Sequence, residues 1–152
     1  MGQEYCRIGP ASLAVRSPVI GKTALDLVLT RSDGTTANIL GESQGKKVLL
    51  FFWATWCPHC YEELGVIRDQ RASIEQKGIK IIPVNVGESK ENVRAYLDRR
   101  QMKLVSFLDG DNALQEPYHL VGLPTVIFID EKGVIRSVTH EFPSDYEHYF
   151  SK

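Results

Sequence analysis

The sequence predicts an α/β domain in which a mixed central sheet is flanked by helices. Two apolar runs, 48–56 and 79–86, have the composition of fully buried strands, and a segment of helical length separates them. A third apolar run, 125–129, is joined to a further strand by the short turn 131–133. Strands connected through a helix run parallel and strands joined by a tight turn run antiparallel. We therefore expect one parallel and one antiparallel half.

Length and charge limit the function classes. The chain of 152 residues is long enough for one domain with a hydrophobic core, and we expect a monomer. Its 18 Lys and Arg nearly balance 19 Asp and Glu, so nothing indicates a nucleic-acid partner. No apolar run is long enough to span a bilayer, and residues 1–16 lack the layout of a signal peptide. Either the protein is cytosolic, or an export signal or anchor has been removed ahead of this sequence.

The N-terminal part is predicted to be an irregular lead-in followed by a β-hairpin. Residues 1–21 contain several Gly and Pro and form the lead-in, and residues 22–152 form the domain. Residues 24–29 alternate as a strand, Asp33-Gly34 supplies a turn, and residues 35–40 return as the second strand.

Two helices are predicted beside the central strands. The first begins at Cys57 and runs to about Lys77, where Gly78 stops it. The second begins near Lys90, with Ser89 as its N-cap. Each has apolar residues spaced for one inward face, which are Cys60, Leu64, Ile67 and Ile74 in the first helix and Val93, Tyr96 and Leu97 in the second.

The remaining elements are shorter. Residues 105–108 form a short strand at best, and residues 109–121 form a turn followed by a helical piece that Pro117 interrupts. Residues 134–140 pair with run 125–129 as a hairpin, and Ser144 caps a short closing helix.

Two cysteines at the predicted strand-to-helix junction indicate sulfur chemistry. Pro58 suits the first turn of a helix, so Cys57 stands where unpaired N–H groups and the positive end of the dipole favour a thiolate. We expect Cys57 to be the exposed nucleophile and Cys60, one turn further along, to face inward. Thiolate attack would then open or close a Cys57–Cys60 disulfide, and no other cofactor is expected.

The residues around the pair supply tuning and proton transfer. Pro58 and His59 lie between the cysteines, and a positive His59 would favour the thiolate and raise the redox potential. Glu63 leans toward the same face as Cys60, so partial burial should raise its pKa and allow it to exchange a proton with that thiol. The neighbouring Glu62 is expected only to complement the helix dipole.

The chain resembles the TlpA/ResA-like thiol–disulfide oxidoreductases of the thioredoxin superfamily over about residues 24–150. The resemblance rests on the leading hairpin and on three segments, Phe52-Trp53-Ala54-Thr55-Trp56-Cys57-Pro58-His59-Cys60, Pro83-Val84-Asn85-Val86-Gly87-Glu88-Ser89 and Leu123-Pro124-Thr125-Val126-Ile127-Phe128-Ile129-Asp130. It implies a thioredoxin-like fold and an extracytoplasmic location, in the periplasm or on the outer face of the cytoplasmic membrane. It further implies exchange with protein thiols and disulfides, and a membrane or periplasmic electron donor or acceptor.

The resemblance also implies roles for individual residues. A cis Leu123–Pro124 bond would pack against Cys57, and the Leu123 backbone would be offered to an extended substrate. Trp56 would border the thiols as a substrate platform, whereas Trp53 belongs to the core. Glu63 stands at the offset of the family's glutamate, and Phe51 occupies the position at which ordinary thioredoxins bury an aspartate.

The direction of electron flow stays open at this point. Pro58-His59 is the pair found in DsbA-type oxidants, whereas ResA-like reductants usually carry Glu-Pro. The overall resemblance and Glu63 favour a reductant in a maturation pathway of the cytochrome c type, and Pro58-His59 favours a general oxidant.

Other readings of the cysteines are weaker. A structural zinc site needs a second ligand pair, covalent haem attachment needs a histidine where Tyr61 stands, and a peroxiredoxin needs a threonine where Ala54 stands. A copper(I) carrier is the non-enzymatic alternative, since paired thiolates and a histidine suit that ion.

Four further candidates receive no site role. His119, His140 and His148 share no metal-ligand spacing, so no metal site is expected, and they are interpreted as surface or hydrogen-bonded histidines. Cys6 is interpreted as a spare thiol.

Overall fold

The computed structural model describes residues 17–43 and 45–151. In this part of the chain seven strands form one sheet in the order β2-β1-β5-β4-β3-β6-β7. The strands are β1 (Val28–Arg31), β2 (Thr36–Asn38), β3 (Lys47–Trp53), β4 (Ile79–Val86), β5 (Phe107–Asp109), β6 (Thr125–Ile129) and β7 (Ile135–Thr139). Two helices, α1 (Pro58–Gln76) and α2 (Lys90–Arg99), follow β3 and β4.

Strand β3 lies at the centre of the sheet because its side chains are apolar on both faces. Every residue from 48 to 53 is buried. The strand pairs parallel with β4 and antiparallel with β6, and β6 pairs antiparallel with β7. The predicted mixed sheet is confirmed, and its two halves meet at the strand that leads to the cysteines.

Both predicted helices are confirmed. Helix α1 has Cys57 as N-cap and Lys77 as C-cap, and Gly78 follows with a positive φ of 81° that favours glycine. Helix α2 has Ser89 as N-cap, whose side chain accepts the N–H of Asn92 at 3.1 Å. The buried residues of each helix are the predicted inward ones.

The N-terminal hairpin is confirmed, but its first strand was placed too early. Strand β1 begins at Val28 because Asp26 organises the residues before it in another way. One carboxylate oxygen of Asp26 accepts the N–H groups of Leu27 and Leu40, at 2.8 and 2.9 Å. The predicted turn holds, with Gly34 at a φ of 91°.

Two shorter predictions are wrong in detail. Asp109 ends β5 and residues 110–121 form turns with no helix, where the Asp109 carboxylate accepts the N–H groups of Ala113 and Leu114 at 2.8 and 2.9 Å. The closing element is a 3₁₀ helix, Tyr146–Phe150, with Asp145 as its N-cap rather than Ser144.

Most of the predicted lead-in, 1–21, lies outside the described residues, as does Cys6. Among the residues that are described, no helix is both long and apolar enough to cross a bilayer.

Candidate active site

The end of β3 places the first cysteine at the start of α1. After Trp53 the chain turns, and the N–H of Cys57 donates to the carbonyl of Ala54 at 3.3 Å. Cys57 has extended backbone angles, and Pro58 occupies the first turn of the helix, where its fixed φ fits. The Cys57 sulfur is therefore close to the unpaired N–H groups of the helix N-terminus.

Cys57 is covered, and the expectation that it is exposed is wrong. The residue is 1% exposed, and its Sγ lies 3.7 Å from the carbonyl oxygen of Leu123. The Leu123–Pro124 peptide bond is cis and precedes β6. A helix start is often open to solvent, but here the Leu123 carbonyl, from a loop distant in sequence, lies against the sulfur. The preceding residue, Trp56, is 45% exposed.

Cys60 lies one helical turn further along and is fully buried as a free thiol. Burial raises the pKa of Cys60 to about 12, and the carboxylates of Glu63 and Glu88 add to this effect, while a backbone hydrogen bond from Ala54 opposes it. The predicted inward position is confirmed. Because Cys60 stays protonated at neutral pH, it needs a base before it can attack. The closed Cys57–Cys60 disulfide stays a prediction.

Glu63 is the acid with the most perturbed titration at this site. Burial raises its pKa to about 7, and the neighbouring charges of Glu141 and Glu62 act in the same direction. The backbone N–H of Phe142 donates to its carboxylate and opposes the shift. The predicted rise in pKa is present in the structure. A group that titrates near 7 suits proton transfer at neutral pH.

Glu88 also belongs to the site, although its place in the sequence predicted no role for it. Its carboxylate accepts hydrogen bonds from both the backbone N–H and the hydroxyl of Thr55. The side-chain amides of Asn85 and Asn92 donate to it at 2.8 and 2.9 Å. Glu88 thus joins the segment before Cys57 to β4 and α2. Its position just after β4 could have indicated that Glu88 lies near Cys57, because the carboxyl ends of the parallel strands β3 and β4 meet at one edge of the sheet.

Of the remaining predicted residues, His59 lies at the surface and Trp53 lies in the core. The side chain of His59 is 62% exposed, and its Nδ1 lies 4.0 Å from the carboxylate of Glu62. Trp53 is fully buried, as expected of a core residue, and its Nε1 donates to the hydroxyl of Ser106 at 3.0 Å.

A surface cavity of about 230 Å³ lies beside Trp56 and Leu123. Its walls include the apolar side chains of Val86 and Leu120 and the amide Gln115. A neutral cavity of this kind next to Cys57 is suited to a side chain of an extended peptide.

His140, like Glu88, lies near the site although the sequence predicted no site role for it. It follows β7, is 8% exposed, and its Nδ1 lies 3.2 Å from the carbonyl oxygen of Pro124. Burial lowers its pKa, and the hydrogen bond with Pro124 opposes that shift. Among the described residues, no three His, Cys, Asp or Glu side chains group as a metal site requires.

The fold and the paired cysteines define a thiol–disulfide oxidoreductase with a thioredoxin-like fold. The chain belongs to the AhpC/TSA family, whose model matches residues 20–138. The thiol–disulfide oxidoreductase ResA of Geobacillus thermodenitrificans is 32% identical over 119 residues, which cover 78% of this chain and 68% of that protein.

Solved structures agree on the fold. The thioredoxin domain of a thiol–disulfide oxidoreductase from Bacteroides vulgatus superposes with a TM-score of 0.74 at 23% identity, covering 87% of this chain and 96% of that one. The exposed lipoprotein thioredoxin of Streptococcus pneumoniae superposes with a TM-score of 0.70 at 26% identity, covering 79% of this chain and 92% of that one.

Proposed function

We propose that this protein reduces disulfides of other proteins outside the cytoplasm, in a maturation pathway of the cytochrome c type. The observation that carries the proposal is the position of Cys57. Its sulfur lies at the N-terminus of α1 and against the carbonyl of Leu123, with the buried thiol of Cys60 one turn away. Trp56 and the adjoining cavity border the same corner, where an extended peptide would lie.

In the proposed reaction the Cys57 thiolate attacks one sulfur of the partner's disulfide. A mixed disulfide forms, and the partner's other sulfur leaves as a thiolate. Cys60 then transfers its proton to Glu63 and attacks the Cys57 sulfur, which releases the second partner thiolate and closes the Cys57–Cys60 disulfide. Two electrons pass to the partner, and a membrane or periplasmic dithiol must return them.

Access to the sulfur is part of this mechanism. Because Cys57 is 1% exposed, exchange requires a local displacement that uncovers Sγ. We propose that the substrate backbone replaces the contact between Sγ and the Leu123 carbonyl, so that peptides are preferred over small disulfides.

The charges around the pair support a reductant. The carboxylates of Glu63 and Glu88 both disfavour a thiolate at Cys60. The side chain of His59 is 62% exposed and faces Glu62, so solvent and that carboxylate weaken its effect on the sulfurs. Since stabilising thiolate stabilises the reduced form, these charges favour a low potential.

A location outside the cytoplasm is supported by related proteins. The pneumococcal relative is described as an exposed lipoprotein. The chain spans about two thirds of the ResA protein it matches.

A DsbA-like oxidant is the second candidate, and Pro58-His59 between the cysteines favours it. Titration of the Cys57–Cys60 pair against glutathione, in a Cys6→Ser background, separates the two directions. A potential near about −250 mV or below supports the reductant, and one near about −120 mV supports the oxidant.

The enzyme proposal itself is tested by reduction of a peptide disulfide. We expect turnover that is abolished in Cys57→Ser. Tight Cu(I) uptake by a chain that shows no turnover would instead indicate the copper carrier.

A further inference from the structure

We propose that His140 is a positioning residue that holds the Gly122–Thr125 loop in its substrate-binding conformation through a hydrogen bond to the Pro124 carbonyl. The inference rests on the proposed function, in which the Leu123 backbone receives an extended peptide. His140 is buried, directly follows β7 and is remote from the cysteines in sequence.

The hydrogen-bond chemistry fixes which ring nitrogen carries the proton. Nδ1 of His140 lies 3.2 Å from the Pro124 carbonyl oxygen and 3.4 Å from the Thr125 hydroxyl oxygen. That hydroxyl donates its only proton to the carbonyl of Gly122. Both atoms that face Nδ1 are therefore acceptors, so Nδ1 must be the protonated nitrogen. His140 donates to Pro124, and the Thr125 hydroxyl fixes the same loop from within.

The loop that His140 holds is the one that contacts the nucleophile. The Leu123 carbonyl, one residue before Pro124, lies 3.7 Å from Sγ of Cys57. Without the imidazole N–H, the Pro124 carbonyl loses this donor in a site from which water is largely excluded, since His140 is 8% exposed. The loop would then be free to shift relative to the sulfur, and the substrate contact with the Leu123 backbone would weaken.

The same short segment also contacts the acid of the site. Phe142, two residues after His140, donates its backbone N–H to Glu63. Residues 140–142 thus contact the substrate loop at one end and the acid on α1 at the other. His140 acts on the substrate through this loop.

The test compares two variants on two substrates. His140→Leu removes the donor and keeps a similar volume, and His140→Asn places an amide N–H near the position of Nδ1. We expect kcat/KM for a peptide disulfide to fall about tenfold in His140→Leu, the size of one lost hydrogen bond, mainly through KM. His140→Asn should recover most of it.

A small aromatic disulfide without a peptide backbone provides the second readout, and reaction with it should change less than about twofold in either variant. His148→Leu, at an exposed histidine, is the matched control and should behave as the unmodified chain. Equal losses on both substrates, or no loss on the peptide, would overturn the inference. Failure of the unmodified chain to reduce the peptide would instead overturn the proposed function.

Discussion

The carboxylate of Glu63 accepts a hydrogen bond from the backbone N–H of Phe142, which lies 79 positions further along the chain. The contact joins the active-site helix to the segment after β7. It keeps an acid partly buried beside a buried thiol, and the pKa of that acid is raised to about 7. The pKa of Cys60 is raised to about 12, so this thiol needs a base. Glu63 lies close enough to affect that pKa and has a suitable strength for the role.

Replacing Glu63 by Gln should slow the step in which Cys60 attacks the mixed disulfide. The amide keeps the Phe142 hydrogen bond but cannot take up a proton. We expect the rate at pH 7 to fall about 100-fold, at the low end of general base catalysis, and the limb of the pH–rate profile near pH 7 to disappear. Rapid-mixing kinetics of mixed-disulfide resolution measure both.

The control for this experiment is Glu62→Gln, whose side chain is 77% exposed. It should keep the limb near pH 7, moved only slightly to lower pH, because the Glu62 charge is one of the smaller causes that raise the pKa of Glu63. An unaltered profile in Glu63→Gln, or an equal loss in both variants, would contradict the assignment of Glu63 as proton acceptor.

The raised pKa of Glu63 also predicts how stability depends on pH. In the unfolded chain the group titrates near 4.5, and in the folded chain near 7. The folded state therefore binds more protons in this window, so this contribution to stability is complete below about pH 4.5 and is lost as pH rises through 7. After allowance for solvent screening we expect a decline of about 1–2 kcal/mol.

Urea unfolding of the unmodified chain and of Glu63→Gln between pH 4.5 and 8 tests this expectation. The difference between their free energies of unfolding should change in favour of the Gln variant as pH rises. A constant difference would show that Glu63 titrates normally in the folded protein.

The Glu88 carboxylate should matter for both stability and thiol chemistry. Glu88→Gln leaves one acceptor oxygen for the donors of Thr55, Asn85 and Asn92. We expect a loss of about 1–3 kcal/mol in the free energy of unfolding and a lower pKa of Cys60, because one of the charges that raise it is removed. Urea unfolding and thiol titration measure these effects.

Glu91→Gln, on the exposed first turn of α2, is the matched control and should change stability by no more than about 0.5 kcal/mol. Equal stability of the two variants would mean that the Thr55–Glu88 contact does not hold the segment before Cys57.

Trp56 is expected to contribute to substrate binding through its exposed ring. Trp56→Ala should raise KM for a peptide disulfide about tenfold, as loss of an aromatic anchor does, with a smaller effect on kcat. Tyr61→Ala is a control of similar exposure, 44% against 45%, and should leave KM nearly unchanged. A rise in KM of equal size in both variants would point to a general surface effect rather than a platform at Trp56.

Much of the fold was predictable because its signals are local. Strands β4 and β6 have the predicted bounds and helix α2 has the predicted start, since each follows from a local apolar run or a local N-cap. The errors arise where a carboxylate accepts backbone N–H groups that the apolar pattern does not predict, either distant in sequence, as for Asp26, or a few residues further on, as for Asp109. The Asp26 carboxylate accepts the N–H of Leu40, and β1 begins later in the sequence than predicted. The Asp109 carboxylate organises turns where a helical piece was expected.

The same distinction holds at the site. Cys57, Cys60 and Glu63 were found because their spacing on one helix carries the information. The contacts of Glu88 with Thr55 and of His140 with Pro124 join segments at the ends of different strands, and the carbonyl against Cys57 comes from the loop before β6. Such relationships depend on strand order and loop path, which residue spacing does not specify.

The measurement that tests the central claim most directly is the pH dependence of alkylation of each cysteine alone. Two variants leave one thiol of the pair, Cys60→Ser and Cys57→Ser, each combined with Cys6→Ser. The account predicts a midpoint below about 8.5 for Cys57, at the helix N-terminus, and for Cys60 no midpoint below pH 10, since its pKa is raised to about 12. Identical midpoints near 8.5 for the two thiols would contradict it.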